Sequence, residues 1–130
     1  MNKIKGIFLH CSATPPGFTA EQVHAMHIKK GWSGLGYNAV IESDGTLVNG
    51  RPDFWEGAHT YKFNKDYLGI CMIGLEVEDF TDDMFKKLAA WCRYKMEVYG
   101  FGIDDIRAHN EVANKLCPVF SVEQFKKDWM

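Results

Sequence analysis

His109 and Cys117 offer an imidazole nitrogen and a thiol sulfur within one short segment, Arg107 to Phe120 (RAHNEVANKLCPVF). Borderline-soft metals such as zinc favour that pair of donors. A catalytic zinc site takes three protein ligands and leaves a fourth position open for water, so a third donor must come from elsewhere in the chain. The apolar run Ile7-Phe8-Leu9 closes on His10, which fits that need. Lys115 sits between His109 and Cys117 in a stretch without glycine; a solvated loop lysine is its plain alternative to a cation working beside a metal. Glu111 follows His109 closely, where a structural contact suits it better than the part of a base.

Bringing such donors together requires strands that end near one another. Residues 4–11 (IKGIFLHC) form an apolar run short enough for a buried strand. Strand side chains alternate between faces, so either His10 faces the metal and Cys11 the core, or the reverse. Asp105 to Ala108 reads as a short strand that delivers His109 at its end. Gly69 to Leu75 (GICMIGL) is continuously apolar and is expected as a central strand buried on both faces. Tyr37 to Glu42 and Thr46 to Asn49 are expected as a hairpin about the turn Ser43-Asp44-Gly45. Alternation would put Tyr37, Ala39 and Ile41 on one face and Asn38, Val40 and Glu42 on the other; for Tyr37 alone, edge packing accounts for the pattern equally well.

Three helices separate these strands. Thr19 with Gln22 makes a capping-box pattern that opens a helix to about Lys30, ended by Gly31. His24 and His27 lie one turn apart on it with no further donor to complete a metal set, so His27 is expected as a packed histidine and His24 as a surface one. Thr81 caps a helix from Asp82 to Tyr99, buried along Phe85, Leu88, Cys92, Met96 and Tyr99 and stopped by Gly100. Ser121 with Gln124 repeats the capping box before a short terminal helix. Between Gly50 and Lys65 the chain is irregular and aromatic around His59: a groove for a sugar or peptide, or a loop folded over its own apolar cluster. Interleaved strands and helices predict an α/β fold, a mixed central sheet flanked by helices, in one domain over 1–130.

Composition removes several function classes. A chain of 130 residues with 46% hydrophobic and 25% charged residues has the make-up of a folded globular domain. Its net charge of −2 gives no footprint for nucleic acid. No apolar stretch approaches the roughly 20 residues of a membrane helix, which argues against membrane insertion. The start, MNKIKGIFLHCS, is broken by polar residues too early for a signal peptide, so synthesis in the cytoplasm is expected. The four cysteines are then reduced: Cys11, Cys71 and Cys92 fall in regular apolar segments as core thiols, and Cys117 stands apart in a loop before Pro118.

The segments FLHCSAT (8–14), GWSGLGYN (31–38), DGTLVNGR (44–51), GAHTYKFN (57–64) and RAHNEVANKLCPVF (107–120) occur in the order of a known family. Nearly the whole chain resembles the zinc-dependent N-acetylmuramoyl-L-alanine amidases, whose fold is shared with peptidoglycan recognition proteins, and looks most like the short bacteriophage lysozymes of the T-seven type. The resemblance implies His10, His109 and Cys117 as zinc ligands, Tyr37 and Lys115 as catalytic residues, and His59 and Asn64 as substrate-binding. It implies peptidoglycan as the partner, cleaved at the amide joining the muramic acid lactyl group to L-alanine. It also implies a monomer made in a host cytoplasm that acts on the wall after release. Lys62-Phe63 stands where glycine and tyrosine are common, and the turn after the Gly69 to Leu75 strand is short and acidic; both bear on recognition of the stem peptide. Three rivals remain. One is a non-catalytic wall-binding module, which in this family typically lacks the cysteine. Another is a hydrolase with Cys117 as nucleophile and His109 as base, and the third a regulator whose zinc is structural.

Overall fold

The computed structural model describes residues 3–130. Met1 and Asn2, where the segment read as lacking an export signal begins, lie outside the described residues. Among the described residues five strands form one mixed sheet: β1 (Gly6–Cys11), β2 (Ala39–Ile41), β3 (Leu47–Asn49), β4 (Tyr67–Met72) and β5 (Ile106–Ala108). Their order is β3-β2-β4-β1-β5. β1 runs parallel to both β4 and β5, β2 runs parallel to β4, and only the β2–β3 hairpin is antiparallel. Among the described residues no helix is long and apolar enough to cross a membrane.

The pleat divides the molecule into two unequal halves. Ile7, Leu9 and Cys11 of β1 point to one face with Ala39, Ile41, Ile70, Met72 and Ile106. There they meet α2 (Asp82–Tyr99) and α3 (Val122–Trp129) through Met84, Leu88, Cys92, Val122 and Phe125. This is the main core, and its burial is the largest favourable contribution to the fold. The opposite face carries Val40 and Cys71, covered by Ala20 and Val23 of α1 (Ala20–Lys29). His10 stands on that face beyond α1, met by His59 and Thr60 from the chain between Gly50 and Lys65 and by Tyr37.

Helix ends follow their local chemistry. Thr19 and Gln22 form the reciprocal capping box of α1. Glu42 adds an unforeseen contact, its carboxylate accepting from Ala20 N at 2.7 Å. Thr81 accepts from Met84 N, and Gly100 closes α2 in the left-handed region at φ 78°. At α3 only half of the expected box forms: Ser121 accepts from Gln124 N, but the Gln124 amide turns away to donate to Asp128 at 2.9 Å.

Strand bounds depart from expectation most in β4 and β2. β4 begins at Tyr67 because Tyr67 and Leu68 pair with Gly6 and Ile7, and it stops at Met72, before Gly74 and the exposed Leu75. β2 begins at Ala39, leaving Tyr37 and Asn38 in the bend before it. Freed from the pleat, Tyr37 packs with Val40 and Cys71, the face opposite Ala39 and Ile41, so the predicted alternation fails at this residue. Asn38 takes over local hydrogen bonding. Its side-chain oxygen accepts from Gly69 N at 2.9 Å and its amide donates to Arg51 O at 3.1 Å, joining the hairpin to the central strand.

Asn38→Ala strips a buried partner from the Gly69 N–H. The expected cost is about 1–3 kcal/mol, read as a lower midpoint of denaturant unfolding.

Candidate active site

β1 and β5 lie side by side, so their C-terminal ends release His10 and His109 next to each other; the ring centroids are 4.6 Å apart. After β5 the chain makes a 3₁₀ turn over His109–Glu111, held by Glu111 accepting from Ala108 N at 2.7 Å and pairing with Arg107 at 3.3 Å. Glu111 is thereby spent on structure, as its place in the sequence suggested. The chain then loops back to Cys117, whose carbonyl accepts from Asn110 N at 2.8 Å. Cys117 Sγ comes to rest 3.6 Å from His10 Nδ1 and accepts from Cys11 N at 3.3 Å. His10, His109 and Cys117 each offer one donor atom, and the three lie within 4.8 Å of one another. Strand alternation sends the Cys11 side chain to the core, which decides between the two assignments left open at His10-Cys11.

This trio fits a metal on two independent grounds. His109 Nδ1 is buried and has no hydrogen-bond partner, a condition that costs about 1–3 kcal/mol unless a ligand satisfies the atom. At ordinary zinc distances a nitrogen and a sulfur ligand stand roughly 3.6 Å apart, which is the separation of His10 Nδ1 from Cys117 Sγ. Electrostatics agree. Burial holds the His10 imidazole well below its ordinary pKa, with His59 and His109 adding to the effect. Burial, then the Lys115 cation, lowers His109 as well. Both rings are therefore neutral and their lone pairs available. Cys117 runs the other way: the neighbouring Cys11 and burial raise its thiol, so a metal must displace that proton as it binds.

Around the trio stand the other residues singled out from sequence. The Tyr37 ring centroid lies 5.0 Å from that of His10. Its hydroxyl is held well above the ordinary phenol pKa by burial, then by the nearby Cys71 and Cys117, and it stays protonated. Lys115 is exposed and lines a groove of about 540 Å³ with His109, His59, Asn64, Tyr61 and Trp32. His59 is only 8% exposed. Asn64 turns its oxygen inward to accept from His59 N at 2.7 Å and Thr60 N at 2.8 Å, so it braces the loop. Lys62 takes φ 75°, a left-handed conformation that suits the glycine common at that position. Thr60, 2% exposed and within 3.3 Å of His10 Nε2, is a site residue that no spacing rule marked. His24 and His27 stay outside the cluster: His24 is exposed, and His27 Nδ1 accepts from Gly36 N at 2.9 Å.

Residues 1–120 match the family described as N-acetylmuramoyl-L-alanine amidase. The chain belongs to that family. Amidases of this family are in general zinc-dependent, and the His10, His109, Cys117 group is one that could hold such an ion. The chain is 31% identical over 128 residues to the endolysin of Escherichia phage T7, the match covering 92% of this chain and 83% of that protein. Among solved structures it superposes on the amidase LysC from Clostridium intestinale with a TM-score of 0.87 at 30% identity, covering 96% of this chain and 84% of that one. It also superposes on bumblebee PGRP-SA with a TM-score of 0.85 at 26% identity, covering 100% and 84%. The amidase relationship thus spans the sheet and all three donors.

His27 gives the metal-free protein a pH dependence of its own. Burial first, then Lys30 and Arg51, lowers its pKa from 6.5 to about 4. In that window the unfolded chain binds the extra proton, so the stability from neutral His27 is complete above 6.5 and lost as pH falls toward 4. His27→Asn retains an acceptor for Gly36 N without the titration. Denaturant melts of the two proteins across this range should show the smaller acid loss in the variant.

Proposed function

We propose that the chain is a zinc-dependent endolysin-like amidase that hydrolyses the bond between the lactyl carbonyl of N-acetylmuramic acid and L-alanine in peptidoglycan. The buried, unpartnered Nδ1 of His109, a ring that groups with His10 and Cys117, carries this reading. His10, His109 and Cys117 would hold the ion and leave one position open. Zinc bound there supplies Lewis acidity, polarising a carbonyl and bringing the pKa of water to about 7.

The chain's own groups do the rest. Hydrolysis adds hydroxide to the lactyl carbonyl carbon, breaks the C–N bond and returns a proton to the departing L-alanine amine. Lys115, a compact cation on the groove beside His109, stabilises the negative oxygen that develops on that carbon. Tyr37 keeps its proton, so its hydroxyl orients the attacking water by donating or accepting a hydrogen bond without becoming an anion. Trp32, Tyr61, Phe63 and Val112 give the groove an apolar wall for the stem peptide, with His59 and Asn64 holding its floor. Such an enzyme would be made in a host cytoplasm, work as a monomer and meet its substrate after release; no nucleic acid takes part.

A second reading has one observation in its favour. The 3.6 Å approach of Cys117 Sγ to His10 Nδ1 also suits a thiol activated by an imidazole. Release of peptide from purified peptidoglycan separates the two. A chelator should abolish it and added zinc restore it; chelator resistance together with inactivation by thiol alkylation would favour the cysteine mechanism.

Lys115→Ala should bind one zinc per chain yet lose about 10²–10³-fold in kcat, the usual cost of removing an oxyanion partner. Tyr37→Phe should retain the metal and lose about 10²–10⁴-fold. Loss of metal from either variant would overturn the role given to that residue.

A further inference from the structure

The His59 ring leaves no nitrogen for a substrate. Its Nε2 lies 3.1 Å from the Tyr67 carbonyl oxygen, which only accepts, so Nε2 carries the proton in the neutral, buried ring. Nδ1 then presents a lone pair, and it lies 3.2 Å from His10 Nε2. Two lone pairs cannot face each other at that distance, so His10 Nε2 is a donor. Thr60 Oγ1, 2.9 Å from His59 Nδ1 and 3.3 Å from His10 Nε2, completes the contact from the side. A neutral His10 with its proton on Nε2 has its lone pair on Nδ1, the nitrogen that faces Cys117.

We propose that His59 is a positioning residue for the metal site, fixing His10 as the Nε2–H tautomer and thereby aiming His10 Nδ1 at the ion. This rests on the zinc reading above and assigns His59 a task other than contact with substrate. Imidazole ligands depend on such a partner at the far nitrogen for both ring orientation and basicity.

The surroundings are built to seat this ring. Gly69 stands in β4 on the same face as His10, and a Cβ there would come within 2.7 Å of His59 Nδ1. A Cβ at Gly57 would come within 2.6 Å of His59 Cδ2. The imidazole therefore lies against bare backbone on two sides, in a space that only glycines leave. Asn64 fixes the main chain at His59 and Thr60 through both N–H groups. The rings of His59 and His10 meet edge-on at 5.1 Å between centroids, the geometry of a nitrogen-to-nitrogen hydrogen bond rather than a stack.

Nitrogen-15 NMR of the unsubstituted, metal-free protein reads the tautomer directly. His10 should carry its proton on Nε2; a proton on Nδ1 overturns the proposal without any variant. Competition with a zinc chelator supplies the second readout. His59→Ala should weaken zinc binding about 10–100-fold. His59→Asn, whose Oδ1 takes the place of Nδ1 as acceptor, should recover most of that loss. Wild-type affinity in His59→Ala, or equal losses in the Ala and Asn variants, overturns the proposal. If His59→Ala does not fold, the NMR result decides. A wild-type protein that binds no zinc refutes the amidase site itself, and the tautomer measurement on metal-free protein keeps that failure separate.

Discussion

A buried imidazole on an apolar strand needs a partner for each nitrogen, and His10 imposes that demand on everything near it. The ring is 1% exposed and shares β1 with Ile7, Phe8 and Leu9, none of which can hydrogen-bond through its side chain. One nitrogen finds the His59–Thr60 pair and the other looks toward Cys117. The long irregular segment between Gly50 and Lys65 is shaped by the first of these requirements, and the return of the chain after His109 by the second. The first demand is met within the chain, and the second is one that an ion would complete. The site is thus a local exception maintained by the core beneath it.

That core occupies the other face of the same strands. Ile7, Leu9 and Cys11 anchor β1 against α2 and α3, so the register that places His10 beside His109 is set by apolar packing. A slip of one residue would send His10 inward and Cys11 outward. Precision at the donors therefore derives from burial on the far side of the sheet, and the groove-lining loops are free to carry the chemistry. A larger groove of about 960 Å³ between the hairpin turn and α2 collects Lys86, Lys87, Asp83, Trp91 and Tyr94 but none of the donors. Volume alone would have pointed to the wrong end of the molecule.

Much of this was legible from residue types in order. The α2 boundaries, the capping box at Thr19, the packed His27 and the donor trio follow from helix caps, apolar period and donor chemistry. Each of those signals is local or carried by a whole motif. What escaped depended on contacts between distant segments. Alternation places Tyr37 in the pleat because it counts residues, whereas the strand starts only after Asn38 has satisfied Gly69 and Arg51. Thr60 carries no mark in the sequence beyond adjacency to His59. The resemblance sets His59 and Asn64 beside substrate; both line the groove, and their side chains also bond inward to His10, Tyr67 and the loop backbone, which spacing does not foretell. A spacing rule finds which donors exist; which nitrogen each one turns toward the centre is a tertiary property.

Zinc K-edge X-ray absorption of the zinc-loaded protein tests the coordination most directly. One sulfur at about 2.3 Å with nitrogen or oxygen neighbours at about 2.0–2.1 Å is the expected shell, from one thiolate, two imidazoles and an open position. A shell without sulfur, or one with two sulfurs, would contradict the assignment of His10, His109 and Cys117 as the three protein ligands.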